Sequence, residues 1–459
     1  MTLVNVESCR SGAPRDPAFG RLLPGDANVL TRQAMTYDAA MERPIILFGA
    51  FDRHNFGDLL FPHIAAALLP DEDLVFAGLA SRDLRPYGGH EVRALAQLAT
   101  DWGKRTGILI HVGGEVLTCS AWQAAVMLLP PEQVQDTVAY LDARPRAKME
   151  WVRNMLGSSA LAPYTLSRQL FPGLAGVIYN AVGGIDLDES DPALRAEVLA
   201  NLKAADDVSV RDRQTLAQLA AASIRARLIP DPAVMVAELF GAQIRQRTAE
   251  GEVAQILSAF PQGYIAVQFS ADFGDDETLT EIATQLDHIA ASSGLGVAFF
   301  RAGAAPWHDD LACFERVATC MRAPSVKVFR SLDLWDICAL IANSRAYCGS
   351  SLHGRIVAMA FALPRVNLRH PASTSHPSKQ AAFAATWEET SVSATVDVRE
   401  IAEGIRHALA VDPGQLQRTA RRLVTQYRQG FDAIRPAPPR SPRAIGPRAL
   451  RSVAKNGTE

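Results

Sequence analysis

The sequence predicts an α/β protein of two domains, each built on a parallel sheet, and three observations support this. Short apolar and β-branched runs alternate with stretches of helical period along most of the chain. Most of these runs are continuously apolar or β-branched, as in strands covered on both faces. They also fall into two series, separated by a helical, charged stretch near 237–260. With 459 residues, 48% hydrophobic and 21% charged, the chain has ample material for two buried cores.

Residues 1–41 mix Gly, Pro, Arg and Asp without a sustained period and read as a poorly ordered extension. The first domain, 42–240, is expected to carry strands at 44–48, 74–77, 108–112, 176–181, 207–210 and 227–229. Helices are expected at 192–204 and 213–222. The helix-rich segment 122–171 shows no strand signal and reads as an insertion. A connecting helical segment occupies 241–260. The second domain, 261–397, is expected to hold strands at 264–269, 296–300, 326–328, 346–348 and 365–367, with helices at 278–292 and 311–321. The helical region 398–434 is expected to pack back across the junction. The tail 435–459 is rich in Pro and Arg, cannot build a core and is expected to be disordered.

Composition removes several classes of function. The balance of 46 basic against 49 acidic residues, net −3, lacks the basic field of a nucleic-acid binder. The cysteines (Cys9, Cys119, Cys313, Cys320, Cys338 and Cys348) form no CxxC pair and no Cys/His cluster of metal spacing. No metal is therefore expected, and a reduced, cytoplasmic protein follows. No signal peptide is read at the start, and no apolar run is long enough to cross a bilayer. A peripheral membrane contact through the basic tail stays open beside a plain solvated tail. The sequence leaves the oligomeric state open.

The candidate chemistry lies at predicted strand ends, where open α/β sheets bind ligands. After the first strand comes Gly49-Ala50-Phe51-Asp52-Arg53-His54-Asn55-Phe56-Gly57-Asp58. Asn55 and Asp58 fit a ligand site and a helix N-cap equally well. The loop is not GxGxxG, and no Walker A occurs, so dinucleotide or ATP binding is unsupported. Gly113-Gly114 allows a close backbone approach or simply a tight turn. Arg211, at a strand end, can grip a carboxylate or phosphate with two parallel hydrogen bonds, or pair with Asp212 at the surface. Asp231 can orient a hydroxyl or cap the next helix. His308 and Asp309 suit a site, although a solvated loop is the plainer reading. The run Gly349-Ser350-Ser351-Leu352-His353-Gly354 reads as strand, turn and helix start. A helix start offers free N–H groups and positive potential to an anion, and His353 can move a proton beside it. Ser351 is equally a plain N-cap. Lys379 follows a polar loop and can reach into a cleft.

The order of these motifs resembles the polysaccharide pyruvyl transferase family over roughly 44–387. The resemblance is carried by Asn55-Phe56-Gly57-Asp58, Gly113-Gly114, Ser209-Val210-Arg211-Asp212, Asp231-Pro232-Ala233, Asp309-Asp310, the Gly349–Gly354 run through Pro364, and Lys379. It implies two Rossmann-like halves facing a cleft, similar to GT-B glycosyltransferases. It also implies transfer of a pyruvyl group from phosphoenolpyruvate to a sugar hydroxyl of a glycan or lipid-linked precursor, with phosphate released. Phosphoenolpyruvate is then a substrate, and no cofactor is needed. Arg211 would hold one anionic group, and the helix start at Ser350-Ser351-Leu352-His353 another. His353 would act as acid/base, with Asp58 or Asp231 taking the hydroxyl proton. Asn55, Gly57, Gly113, Gly114, Asp231, Ser350, Ser351, Leu352, Gly354 and Lys379 would contact substrate.

Two positions depart from the family pattern. Ser351 stands where an arginine is common, which leaves Arg355, Arg53 or Lys379 to compensate. Glu115 replaces a frequent third glycine, and a carboxylate pointing inward there would repel an anionic donor. Two other readings stay open: a GT-B glycosyltransferase using a nucleotide sugar, and a non-catalytic carbohydrate-binding homologue.

Overall fold

The computed structural model describes residues 44–372, 378–392 and 395–435. The expected N-terminal extension, and the expected tail beyond Arg435, lie outside the described residues. The first sheet has eight strands: β1 (Ile45–Phe48), β2 (Leu74–Gly78), β3 (Arg82–Asp83), β4 (Glu91–Ala94), β5 (Ile108–His111), β6 (Gly176–Val182), β7 (Asp207–Val210) and β8 (Arg227–Leu228). Their order is β3-β4-β2-β1-β5-β6-β7-β8, parallel except at the β3–β4 edge.

The second sheet has six strands, all parallel: β9 (Tyr264–Gln268), β10 (Gly296–Phe299), β11 (Val326–Val328), β12 (Ala346–Gly349), β13 (Arg365–Leu368) and β14 (Thr395–Val396). Their order is β11-β10-β9-β12-β13-β14. Every residue of β1, β9 and β12 is buried, which explains their unbroken apolar or small-residue runs. The sequence reading missed β3, β4 and β14. β3 and β14 are edge strands and β4 lies next to an edge; all three are short and partly polar, so they carry no apolar run to read.

The insertion is helical, with helices Ala121–Met127, Pro131–Asp142 and Pro145–Leu156. Its Ala124, Ala125, Val152 and Leu156 join the core on one face of the first sheet. The connection consists of helices Val236–Gln246 and Gly251–Ala259. One apolar cluster runs through both halves. It includes Leu47 and Phe61 from the first, Val236 and Ile244 from the connection, and Ala266, Ala298 and Ile337 from the second. The last helix, Pro413–Asp432, returns from the second half to the first. There Asn180 Nδ2 donates to Tyr427 Oη at 2.9 Å, and Arg227 Nη1 donates to the Gly430 carbonyl at 2.9 Å.

Strand order reverses direction between β1 and β5 in the first sheet and between β9 and β12 in the second. Loops leaving the carboxyl ends of such neighbouring strands diverge and open a crevice. The motifs at 49–58, Gly113-Gly114 and 349–354 lie in those loops and the helix starts that follow them.

Candidate active site

The two crevices merge into one pocket of about 420 Å³ lined from both halves. The loop after β1 supplies Arg53 and Asn55, and the helix Phe56–Leu68 supplies Asp58. The loop after β12 supplies Ser350 and Ser351, and the helix Leu352–Ala360 supplies Leu352 and His353. Both helix starts are capped from within the motifs. Asn55 Oδ1 accepts from the Gly57 N–H at 3.1 Å, and Ser351 Oγ accepts from the Gly354 N–H at 3.2 Å. Ser351 therefore fills the N-cap role, and its hydroxyl also lies on the pocket wall.

At one end of the pocket lies an ionic cluster. Arg211 is only 2% exposed. Its Nη1 donates to Asp231 Oδ2 at 2.9 Å, and its Nη2 donates to Glu115 Oε2 at 2.5 Å. Burial works against the guanidinium charge, yet Glu115, Asp231 and Asp212 raise its pKa above the ordinary arginine value. The alternative surface pair with Asp212 does not form: Asp212 caps the helix Arg213–Ala221, accepting from the Thr215 N–H at 2.7 Å.

Glu115 Oε1 accepts from the Ile185 N–H at 2.8 Å. Burial pushes this carboxyl up, but Arg211, Lys379 and that N–H hold it below the ordinary glutamate value. The feared inward carboxylate is thus already matched by an arginine. Removing one member of such a buried pair costs about 3–5 kcal/mol.

Asp231 is fully buried, and its Oδ1 accepts from the Ala233 N–H at 2.9 Å. Its Oδ2 lies 3.7 Å from His353 Nε2, longer than a hydrogen bond. Burial raises the Asp231 pKa, but His353, Arg211 and the Ala233 N–H together bring it below the ordinary aspartate value. The His353 ring stands edge-on to Phe61 at 5.2 Å, and its Nε2 is buried without a hydrogen-bond partner.

Across the pocket the second half contributes a tied network. Gln268 Nε2 donates to Asp309 Oδ1 at 2.8 Å, and its Oε1 accepts from the Ser351 N–H at 2.8 Å. Asp309 Oδ2 accepts from the Ala302 N–H at 2.6 Å. Burial outweighs these bonds and pushes the Asp309 carboxyl up to about 7. Asn55 Oδ1 is committed to the Gly57 N–H, so its Nδ2 donates to His308 Nε2 at 3.1 Å. His308 Nδ1 then carries the proton and donates to the Pro306 carbonyl at 2.9 Å. Burial lowers the His308 pKa, which agrees with this neutral tautomer.

Among the described residues, Arg53 and Lys379 face the pocket without a carboxylate partner at hydrogen-bond distance. Arg53 Nη1 donates to the Tyr164 hydroxyl, lies 3.8 Å from Asp52, and keeps a buried Nε without a partner. Lys379 opens the helix Lys379–Trp387. That helix docks on the ionic cluster, with Trp387 Nε1 donating to the Arg211 carbonyl at 2.7 Å. Arg355, named as a possible substitute cation, is corrected here. It is fully buried and binds Glu388 at 2.9 Å, as does Arg365 at 2.7 Å, so it cannot reach a ligand.

Of the residues expected at the site, Asn55, Asp58, Arg211, Ser350, Ser351, Leu352, His353 and Lys379 line the pocket. Gly57, Gly113, Gly114, Asp231 and Gly354 stand behind its wall and serve its packing. A Cβ at Gly57 would fall 1.9 Å from His353 Nδ1, and one at Gly354 would fall 2.6 Å from the Tyr347 hydroxyl. Gly113 and Gly114 take φ +128° and +95°, so the pair makes a turn that side chains resist. Asp231 buttresses Arg211 and His353 and does not face the pocket. Arg211 lines the pocket, but both arms of its fork are already taken. Sequence reasoning missed Tyr164, Gln268 and the insertion's Gln123 and Met127, none of which sits in a recognisable motif. It placed His308 and Asp309 more readily in solvent, although both line the pocket.

The chain is similar in fold to solved structures of low sequence identity. A UDP-GlcNAc 2-epimerase from Neisseria meningitidis, bound to UDP-GlcNAc, is 10% identical with a TM-score of 0.51, covering 85% of this chain and 98% of its own. A second UDP-GlcNAc 2-epimerase, from Methanocaldococcus jannaschii, is 12% identical with a TM-score of 0.48, covering 83% of this chain and 99% of its own. At such identity the first speaks for the two-domain, GT-B-like architecture alone. No match is found among curated protein sequences. The model of the family described as polysaccharide pyruvyl transferase matches residues 55–370, well over half of the chain and spanning both walls of the pocket. The chain belongs to the polysaccharide pyruvyl transferase family.

Proposed function

We propose that the protein transfers the pyruvyl group of phosphoenolpyruvate to a sugar hydroxyl of a polysaccharide or its precursor, releasing phosphate. The observation that carries this reading is the pocket itself. It joins the cations Arg53 and Lys379, a helix start and a carboxylate-backed histidine in one space of about 420 Å³, a size suited to a small anion beside a sugar.

The chemistry follows from the donor's charges. Its carboxylate and phosphate need cations and N–H donors. Arg53, Lys379 and the N-terminus of the helix Leu352–Ala360 supply them. Arg211 is spent on Glu115 and Asp231, so it holds the framework while the other cations meet the donor.

Protonating the methylene carbon of the enol makes the neighbouring carbon cationic and open to attack by a sugar hydroxyl. His353 delivers that proton, and Asp231 stabilises its charged form. Asp58, a pocket-lining carboxylate, takes the hydroxyl proton. A second hydroxyl of the same sugar then displaces phosphate and completes a ketal; its proton restores His353, and the proton held by Asp58 leaves with phosphate, so phosphorus departs as inorganic phosphate and no redox step occurs. Among the described residues, no helix is long and apolar enough to cross a membrane.

The test is incubation with phosphoenolpyruvate and a panel of glycan precursors, followed by phosphate assay and product mass. Phosphate release coupled to one added pyruvyl group is the expected result. Nucleotide release from a sugar nucleotide, with none from phosphoenolpyruvate, would replace this reading with glycosyl transfer.

A further inference from the structure

The loop 303–309 is pinned from several directions. Gly303 pairs with Asn55 in an isolated antiparallel bridge. The N–H groups of Ala304 and Ala305 donate to the His54 carbonyl at 3.1 and 3.2 Å. His308 and Asp309 are fixed by Asn55, Gln268 and Ala302. In the middle of this rigid loop Trp307 stays 50% exposed and takes φ +62°, a region bulky side chains avoid. It belongs to none of the apolar cores. Strain of this kind, held by a surrounding scaffold, gathers at functional sites.

Trp307 lines the pocket and also an adjoining open groove of about 550 Å³. The groove's other wall is the helix Pro131–Asp142, through Val134, Gln135, Val138 and Ala139. The lining is apolar apart from one amide. A pyranose ring has matching chemistry, with an apolar C–H face and hydroxyls at its rim. We infer that Trp307 is the platform on which a sugar ring of the acceptor stacks, the groove carrying the saccharide whose reacting hydroxyl enters the pocket. This rests on the pyruvyl-transfer reading. A fixed aromatic surface gives such stacking at little ordering cost.

Trp307→Gly removes the ring and also suits the left-handed backbone, so the fold should be kept. With phosphoenolpyruvate and an accepted glycan, the acceptor KM should rise about tenfold, as for one lost aromatic contact. The kcat and the phosphoenolpyruvate KM should stay within about twofold. Trp307→Phe should restore most of the acceptor affinity. An unchanged acceptor KM in Trp307→Gly, or an equal loss toward phosphoenolpyruvate, overturns the inference.

If the wild type releases no phosphate with any acceptor, the transfer reading fails, and stacking is then read alone. In that case glucose-, galactose- and mannose-terminated oligosaccharides are titrated while tryptophan fluorescence is followed. Quenching in the wild type that is lost in Trp307→Gly supports the platform, and identical curves overturn it.

Discussion

Asp231 serves as a cap, an arginine partner and a backstop for His353, so one carboxylate fixes three neighbours. Replacing His353 by Ala leaves this cluster standing and removes only the proton carrier. Turnover should fall by about two to four orders of magnitude, read as phosphate release under saturating donor and acceptor, while the melting temperature changes little. Near-normal turnover would exclude the assignment. Arg211, Asp231 and His353 were each legible in the sequence, because residue type at a strand or helix end limits what a side chain can do. Their division of labour was not legible. That Glu115 would occupy the Arg211 fork depends on two loops 96 positions apart meeting within 2.5 Å. Trp307, Tyr164 and Gln268 sit in no motif, so only the folded chain reveals them.

Between the helices Phe56–Leu68 and Leu352–Ala360 the limiting contact is a glycine against an imidazole. Gly57→Ala should push the two helices apart or swing His353 off Asp231, because the added carbon would fall 1.9 Å from Nδ1. Overpacking of this kind costs about 1–3 kcal/mol. We expect a lower melting temperature together with a loss of turnover. A variant with normal values of both would show that this contact is slack. Elements were most legible where burial on both faces forced apolar runs, as in β1 and β9. Those missed, β3, β4 and β14, gain their structure from a neighbour's free edge, which leaves little trace in their own composition.

Across the whole molecule the shared apolar cluster joins the two halves, and buried histidines set the acid limit. Burial lowers the pKa values of His54, His63, His90, His111 and His308, with His90 and His111 reaching about 3. Below the ordinary value of 6.5 the unfolded chain takes up protons that the native state refuses, so stability falls as pH falls. Asp309 acts in the opposite sense between about 7 and 3.8, because its native carboxyl holds its proton more tightly than the unfolded one. Asp52 and Asp212, also raised by burial, act with Asp309; the five histidines outnumber these three, and a net loss is expected. His111 stacks on Tyr179 at 3.8 Å with a buried, unpartnered Nε2. His111→Phe should therefore shrink the fall in melting temperature between about pH 7.5 and about pH 5. An undiminished fall would remove His111 as a contributor.

The return of Pro413–Asp432 to the first sheet carries a consequence for how the molecule comes into being. Asn180, Arg227 and Ile229 emerge from the ribosome long before Tyr427 and Gly430 exist to cover them. The half made first is thus the half finished last, its seam wet until translation has passed residue 432.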